Sequence, residues 1–307
     1  MDLQRPLVIV NPRSGRGVTE SRWARLRGGL SEGLGELDSA FTTCPRDAAV
    51  IARRESEAGR RLIIAMGGDG TISEVACGIL CAGGRTELGI IPRGTGGDFR
   101  RTLELPDDIA EAGRRIRDGA PRLIDAGRVT YRGHDGQDET RHFVNVASFG
   151  FSSAVARRAN ASSKRFGGKL AFLSATVSTL MSYDNTDVWI RSDGGERERR
   201  RVLLAALGNG RFFGGGMKIC PEATLDDGVF DLVTVGDFTR TEVLTKVGRL
   251  YNGTHLELEE VQSARVKRLE VEAVEPDQQI PVELDGETPG HLPAVFEILP
   301  GALHVRV

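Results

Sequence analysis

Three apolar runs that each end in a glycine-rich loop constrain this chain more than any other feature. "PLVIV" (6–10) leads into "NPRSGRG", "RLIIA" (61–65) into "MGGDGT", and "ELGIIP" (87–92) into "RGTGGDF". Short continuous apolar runs bounded by turn residues read as strands buried on both faces. "LDSAFTT" (37–43) alternates like a further strand. Between the strands lie helical patterns over about 18–30, over 46–59 with a stop at Gly59, and over 71–82 starting at Thr71. Strands separated by helices imply right-handed βαβ units and a mainly parallel sheet. Ligands of such sheets bind where the carboxyl ends of the strands open, and all three glycine loops fall there.

The rhythm changes after Leu123. "LIDAGRVTYRG" and "TRHFVNVASFGF" read as antiparallel strands around a polar loop, and a basic helix pattern covers roughly 152–182. From 186 onward short strands and turns dominate, with hairpin signals at "SDGGERE" and at Asp285-Gly286. The fold class expected is an α/β N-terminal domain with a mainly parallel sheet over 1–123, and a β-rich, sandwich-like C-terminal domain over 124–307. The final strand, 303–307, is expected to return to the first domain.

Composition narrows the function classes. A net charge of -2 provides no global field to recruit nucleic acid. The cysteines Cys44, Cys77, Cys81 and Cys220 form no CxxC pair, which argues against a zinc or redox motif and fits a reducing cytoplasm. Cys77 and Cys81 share a helix face and read as buried small hydrophobes. "MDLQRPLVIV" runs into a strand without a signal-peptide pattern, and "LAFLSATVSTLM" (170–181) is too short to span a bilayer. A cytoplasmic protein with at most peripheral membrane contact is expected.

The loops carry the chemistry. In "NPRSGRG", Asn11 and Ser14 offer side-chain hydrogen bonds, and Gly15 and Gly17 expose backbone N–H groups. A strand-to-helix loop of this kind suits an anion. The spacing is not that of a P-loop. In "GGDGT", Gly67, Gly68 and Gly70 allow close backbone approach, and Thr71 can cap a helix or bond a phosphate. Asp69 is a poor neighbour for phosphate. It fits if it accepts backbone N–H bonds, touches a ribose hydroxyl or meets a magnesium ion. "PRGTGGDF" repeats the design, with Thr95 supplying a hydroxyl and Arg93 and Arg100 positive charge. Three such loops on one sheet edge argue together for a nucleotide triphosphate site.

Asn11-Pro12 with Ser14-Gly15, Gly67 through Thr71, and Gly94 through Phe99 resemble the catalytic domain of the diacylglycerol kinase family, most closely its soluble bacterial lipid kinases. "FVNVASFGF" (143–151), "GNGRFFGGGMKICPEATLDDGVFDLV" (208–233) and "LDGE" (284–287) follow in the family's order, so the resemblance covers nearly the whole chain. "GGDGT" alone is shared with NAD kinases. The family usually reads Asn before the Asp-Phe pair, where this chain has Gly97.

The resemblance implies residue roles. Asn11, Pro12, Arg13, Ser14, Gly15, Thr42, Gly67 through Thr71 and Thr95 match nucleotide-contacting positions. Asp69 lies in the signature loop that activity requires and is grouped with Glu287 of "LDGE", the catalytic base. Asp227, with the backbone carbonyls of Thr224 and Val229, matches a structural magnesium site. Asp125 matches a carboxylate that links this ion to the active site through water. Read without the resemblance, Asp227-Gly228 is a simple turn and Asp-Gly-Glu a solvated hairpin. The implied activity is transfer of the γ-phosphoryl group of ATP, with Mg2+, to a lipid hydroxyl at a membrane surface. The implied sites lie in a cleft between the domains, diacylglycerol is the default substrate, and a homodimer is expected. Phosphatidylglycerol or a sphingoid base stays open as substrate. An NAD kinase-like enzyme and a catalytically silent binding protein are the rivals. The basic stretch 157–169 reads either as a solvated face or as an approach surface for anionic headgroups. "ERERRR" (196–201) reads as a guarded strand edge.

Overall fold

The computed structural model describes residues 3–17, 22–94, 96–161, 179 and 183–307. They form two compact units, Met1–Ala126 with Pro300–Val307, and Gly127–Leu299.

The first unit alternates strand and helix: β1 (Leu7–Val10), α1 (Trp23–Leu34), β2 (Asp38–Phe41), α2 (Asp47–Glu57), β3 (Leu62–Gly67), α3 (Asp69–Cys81), β4 (Glu87–Pro92), α4 (Asp98–Thr102) and α5 (Ile109–Asp118). All strand pairs are parallel, in the order β2-β1-β3-β4, and Val305 and Arg306 add a further parallel partner beside Leu88 and Gly89. The strands read as continuous apolar runs because both faces are covered. On one face Val8, Val10, Ile64, Met66 and Ile91 pack against Leu30 of α1 and Ala112 and Ile116 of α5. Since β1 lies between β2 and β3, the chain reverses direction across the sheet between β1 and β3. That switch point opens a crevice at the strands' carboxyl ends.

Three local expectations need correction. Helix α3 starts at Asp69 rather than Thr71, because Ile72 N donates to the Gly68 carbonyl (3.1 Å) and closes a turn earlier. Helices α4 and α5 went unread in the sequence, although Asp108 caps α5 by accepting from Glu111 N (2.8 Å), an Asp-x-x-Glu start signal. Cys77 is only half-buried and Cys81 is exposed, since both lie away from the sheet-facing side of α3 that carries Ile72, Val75, Ala76 and Ile79.

The division between the units falls within β5 (Pro121–Gly133). The second unit then comprises β6 (Asp138–Phe143), β7 (Val146–Gly150), α6 (Phe151–Ala161), β8 (Thr186–Ser192), β9 (Glu198–Val202), β10 (Leu204–Gly208), β11 (Phe230–Val235), α7 (Arg240–Lys246), α8 (Gly248–Asn252), β12 (Val261–Val266), β13 (Arg268–Ala273), β14 (Pro281–Leu284) and β15 (Glu287–Arg306), whose last residues belong to the first unit. Its strands pair antiparallel in the order β12-β11-β10-β7-β14-β15, and β13 joins β15 to β8 and β9. Strand periodicity divides the side chains between two apolar layers. Ala147, Phe149, Ala205, Leu207, Phe230 and Leu232 face one core, while Val146, Leu204, Ala206, Val233 and Val235 face the other. Among the described residues strand β9, which carries most of "ERERRR", pairs only with β8 and forms an edge. Of the helix pattern expected over 152–182, the structure shows α6; 162–178 and 180–182 lie outside the described residues, as does most of the basic stretch 157–169 at side-chain level. Among the described residues no helix is long and apolar enough to cross a membrane.

Candidate active site

Asn11 organises the first loop at the switch point. Its backbone N–H donates to the Met66 carbonyl (3.0 Å), and its own carbonyl accepts from both Ser14 N (3.1 Å) and Ser14 Oγ (2.8 Å). Its side-chain oxygen accepts from Arg13 N (3.0 Å), and its Nδ2 donates to Thr71 Oγ1 (3.0 Å). One asparagine thus folds "NPRSG" into a turn and fastens it to α3, sixty positions on. Thr71 is buried, and its hydroxyl occupies space that a Cβ on Gly67 would need, 2.4 Å away. Gly68 precedes α3 in an extended conformation and no side chain caps the helix start. The first N–H groups of α3 are therefore available to an anion, with the helix dipole behind them.

The second and third loops touch backbone to backbone. A Cβ on Gly94 would lie 2.5 Å from Gly68 Cα, so neither loop tolerates a side chain there without moving. Arg93 N donates to the Gly67 carbonyl (2.6 Å) and locks the pair. Asp69 then bridges them: Oδ2 accepts from Gly97 N (2.7 Å) and Oδ1 from Phe99 N (3.2 Å). Of the three roles open to Asp69 in the sequence, the structure displays the first, a carboxylate that accepts backbone N–H bonds at the start of α4. The departure at Gly97 acquires a physical reason. Its φ of 66° and ψ of 37° lie in the left-handed region, where glycine is free and asparagine is the best-tolerated side chain. Arg101 donates to the Gly96 carbonyl and to Asp98, and Arg100 pairs with Asp107. Arg93 keeps a buried Nε without a hydrogen-bond partner. Thr95 lies outside the described residues.

Other first-unit candidates make contacts of their own. Thr42 N donates to the Val10 carbonyl (3.0 Å) at the end of β2, but Asp47 is held by Thr43, through its N–H (2.7 Å) and its hydroxyl (2.9 Å). Asp125 is buried and accepts from Gly301 N (2.7 Å), tying β5 to the returning segment. Glu74 was missed in the sequence: its carboxylate accepts from Arg46 N and Ala48 N (both 3.2 Å) and caps α2 from α3.

In the second unit, "TLDDGVFD" folds around Asp227. Its Oδ1 accepts from Val229 N (3.3 Å) and its Oδ2 pairs with Arg265. Asp231, on β11 directly across from Arg265, has a buried Oδ2 with no hydrogen-bond partner. Burial first, then the charges of Asp227 and Glu222 against the opposing pull of Arg265, push the Asp231 carboxyl up to about 6. Among the described residues no group of three or more carboxylate, histidine or cysteine side chains is gathered as a metal cluster, but the orphaned buried oxygen of Asp231 beside Asp227 is of the type that a hard cation takes. The oxygen chemistry of Asp227 and Asp231 is compatible with the ion that the resemblance implies at Thr224, Asp227 and Val229, with most of its ligands then coming from backbone carbonyls and water.

Glu287 opens β15 directly after a tight hairpin whose central residues, Asp285 and Gly286, have φ of 48° and 91°. Asp285 grips the segment between β6 and β7: Oδ2 accepts from Val144 N (3.0 Å), and Oδ1 from Asn145 N (3.0 Å) and Val146 N (3.1 Å). The Asn145 carbonyl in turn accepts from Asn209 N (2.9 Å) and Gly210 N (2.8 Å), and Asn209 Nδ2 donates to the Val144 carbonyl (2.8 Å). The "FVNV", "GNG" and "LDGE" motifs are thus one hydrogen-bonded knot. Glu287 Oε2 accepts from Arg141 Nη1 (3.2 Å). Arg141 is a functional candidate that local patterning does not single out, and Asp285 reads locally only as a hairpin residue. Their partners lie 139 to 146 positions away.

Comparison with known proteins gives the family. Residues 5–129 match the profile of the diacylglycerol kinase catalytic domain, and residues 145–307 that of the YegS C-terminal NAD kinase beta sandwich-like domain. A diacylglycerol kinase of Bacillus subtilis (strain 168) is 32% identical over 304 residues, 99% of this chain and 96% of the relative. A "probable lipid kinase YegS-like" protein of Chromohalobacter salexigens is 35% identical over 263 residues, 84% of this chain and 79% of the relative. A crystal structure from Bacillus anthracis, described among the diacylglycerol kinases, superposes with a TM-score of 0.80 at 28% identity and covers 99% of this chain and 95% of its own.

Proposed function

Because the chain belongs to the diacylglycerol kinase catalytic-domain family and is a lipid kinase, we propose that it transfers the γ-phosphoryl group of ATP to the free hydroxyl of diacylglycerol, giving phosphatidic acid. The observation that carries this reading is the joining of three loops by Asn11–Thr71 and by Asp69 to Gly97 and Phe99. Phosphoryl transfer through a loose transition state asks the protein for positioning and charge rather than for covalent chemistry. Backbone N–H groups at the start of α3, brought close by Gly67, Gly68 and Gly94, meet the first need for a nucleotide's phosphates. Asn11, Pro12, Arg13, Ser14, Gly15 and Thr42 would complete that site from the β1 and β2 side, with Thr71 and Thr95 as hydroxyl donors.

Glu287 is the base of this proposal. As the acceptor oxygen bonds to phosphorus and the bond from the γ-phosphorus to the departing ADP breaks, the hydroxyl proton passes to the carboxylate. The side chain is 44% exposed, so an acceptor can reach it. Thr224, Asp227 and Val229 would hold a magnesium ion that fixes their turn and neutralises the carboxylates around it. A second magnesium travels with ATP. The lipid substrate would be met at a membrane surface.

Phosphatidylglycerol or a sphingoid base is the alternative acceptor. An NAD kinase-like activity has less support: that likeness is one of fold and of the shared "GGDGT" loop, whereas the relatives of 30% identity or more are named diacylglycerol or lipid kinases. The test is labelled-phosphate transfer from ATP to a lipid panel and to NAD, by wild type and Glu287→Gln. Transfer to diacylglycerol, and its near-complete loss in Glu287→Gln with ATP binding retained, are the expected results. Transfer to NAD alone would overturn the lipid assignment, and undiminished turnover in the variant would remove Glu287 as base.

A further inference from the structure

We infer that Arg141 is the positioning residue for the base: its guanidinium sets the Glu287 carboxylate so that one oxygen faces the acceptor hydroxyl. The inference rests on the reading of Glu287 given above. Arg141 lies on β6, across from Val129 of β5, and its Nη1 donates to Glu287 Oε2 at 3.2 Å. Only that oxygen is engaged; Oε1 has no hydrogen bond among the described residues and is left for a substrate proton.

Three observations turn an ion pair into a positioning device. The backbones that carry the two side chains are clamped together. Asp285, two residues before Glu287, holds the N–H groups of Val144, Asn145 and Val146, which begin three residues after Arg141. Neither partner can drift without breaking that clasp. The burial is also asymmetric: Arg141 is 21% exposed and Glu287 44%. A sheltered arginine holds its shape while the carboxylate it orients stays open to an incoming lipid. Finally, Arg141 Nε is buried with no hydrogen-bond partner. Buried donors are seldom left idle in a structural arginine, and a planar fork with a donor in reserve can follow the carboxylate as it takes up a proton. An ion pair this open to water adds little to stability, so holding the fold together does not account for it.

The experiment is a double-mutant cycle on the full chain, with kcat and KM for ATP and for dioleoylglycerol in mixed micelles. Arg141→Ala is expected to lower kcat about 10- to 100-fold, a part of the roughly 100- to 10,000-fold that a general base supplies, with KM for ATP unchanged. Arg141→Lys keeps the charge and is expected to recover part of the loss. Arg141→Met keeps the bulk and is expected to recover none, and it replaces Arg141→Ala should that variant unfold. In the Glu287→Gln background the Arg141 substitution is expected to cost nothing further, since it acts through the same carboxylate. Additive losses, or an Arg141 variant with wild-type kcat, would overturn the inference. A Glu287→Gln enzyme with full turnover would instead remove the base and the positioning role together, and so is told apart from failure of Arg141 alone.

Discussion

At the scale of single residues, the site is organised by side chains whose work is to place backbone. Asp69 reads in the sequence as an acid spoiling an anion loop. In the fold it spends both oxygens on the backbone N–H groups of Gly97 and Phe99. Gly97 is the sharper case. Its left-handed conformation predicts that Gly97→Asn costs under about 1 kcal/mol while Gly97→Val costs about 2 kcal/mol, because a β-branched residue pays the full left-handed penalty. Urea midpoints of the two variants check this. Equal midpoints would mean that the loop relaxes out of that conformation.

At the scale of elements, caps reach across the sequence. Helix α2 begins at Arg46 in the left-handed region with no side-chain cap of its own, and Glu74 of α3 supplies the acceptor for Arg46 N and Ala48 N. Glu74→Ala is expected to lower stability by about 1 kcal/mol, the usual worth of a lost helix cap, and Glu74→Gln by less. Chemical denaturation followed by circular dichroism measures both. This element also marks the limit of what the sequence discloses. The strands and the three loops were legible because apolar runs and glycine clusters are local signals. The start of α3 was misjudged by two residues because Thr71 looks like a cap, yet its hydroxyl is taken by Asn11. The contacts of Glu74, Arg141 and Asp285 are illegible for a common reason: each side chain acts on a partner between 26 and 146 positions away, a distance that no periodicity reports, even where, as at Asp285, the residue itself reads as a hairpin signal.

At the scale of the whole molecule, acid acts on the second unit through His255. This imidazole is 2% exposed, its Nε2 donates to the Ile219 carbonyl (3.0 Å), and its Nδ1 is buried without a partner. Burial lowers its pKa, against the smaller opposing effect of that hydrogen bond. The unfolded chain therefore takes up the proton first. The stability contributed by neutral His255 is complete above about pH 6.5 and is lost as the pH falls through the folded-state value. Unfolding midpoints at pH 7 and pH 5 are expected to differ by more in wild type than in His255→Gln. An equal difference in the two proteins would exonerate His255.

The strand that begins with Glu287 has one more consequence. Its last residues, with Leu303 and Val305 fully buried, fill the edge of the sheet that carries the glycine loops, and Gly301 satisfies Asp125 there. The first unit is therefore complete only when residues 300–307 have joined it. On a ribosome, the half made first must wait for the half made second. Its nascent sheet stays open at β4 throughout synthesis of the intervening 127–299. A stop codon that removed residues 300–307 would thus strike the unit built mainly from residues 1–126.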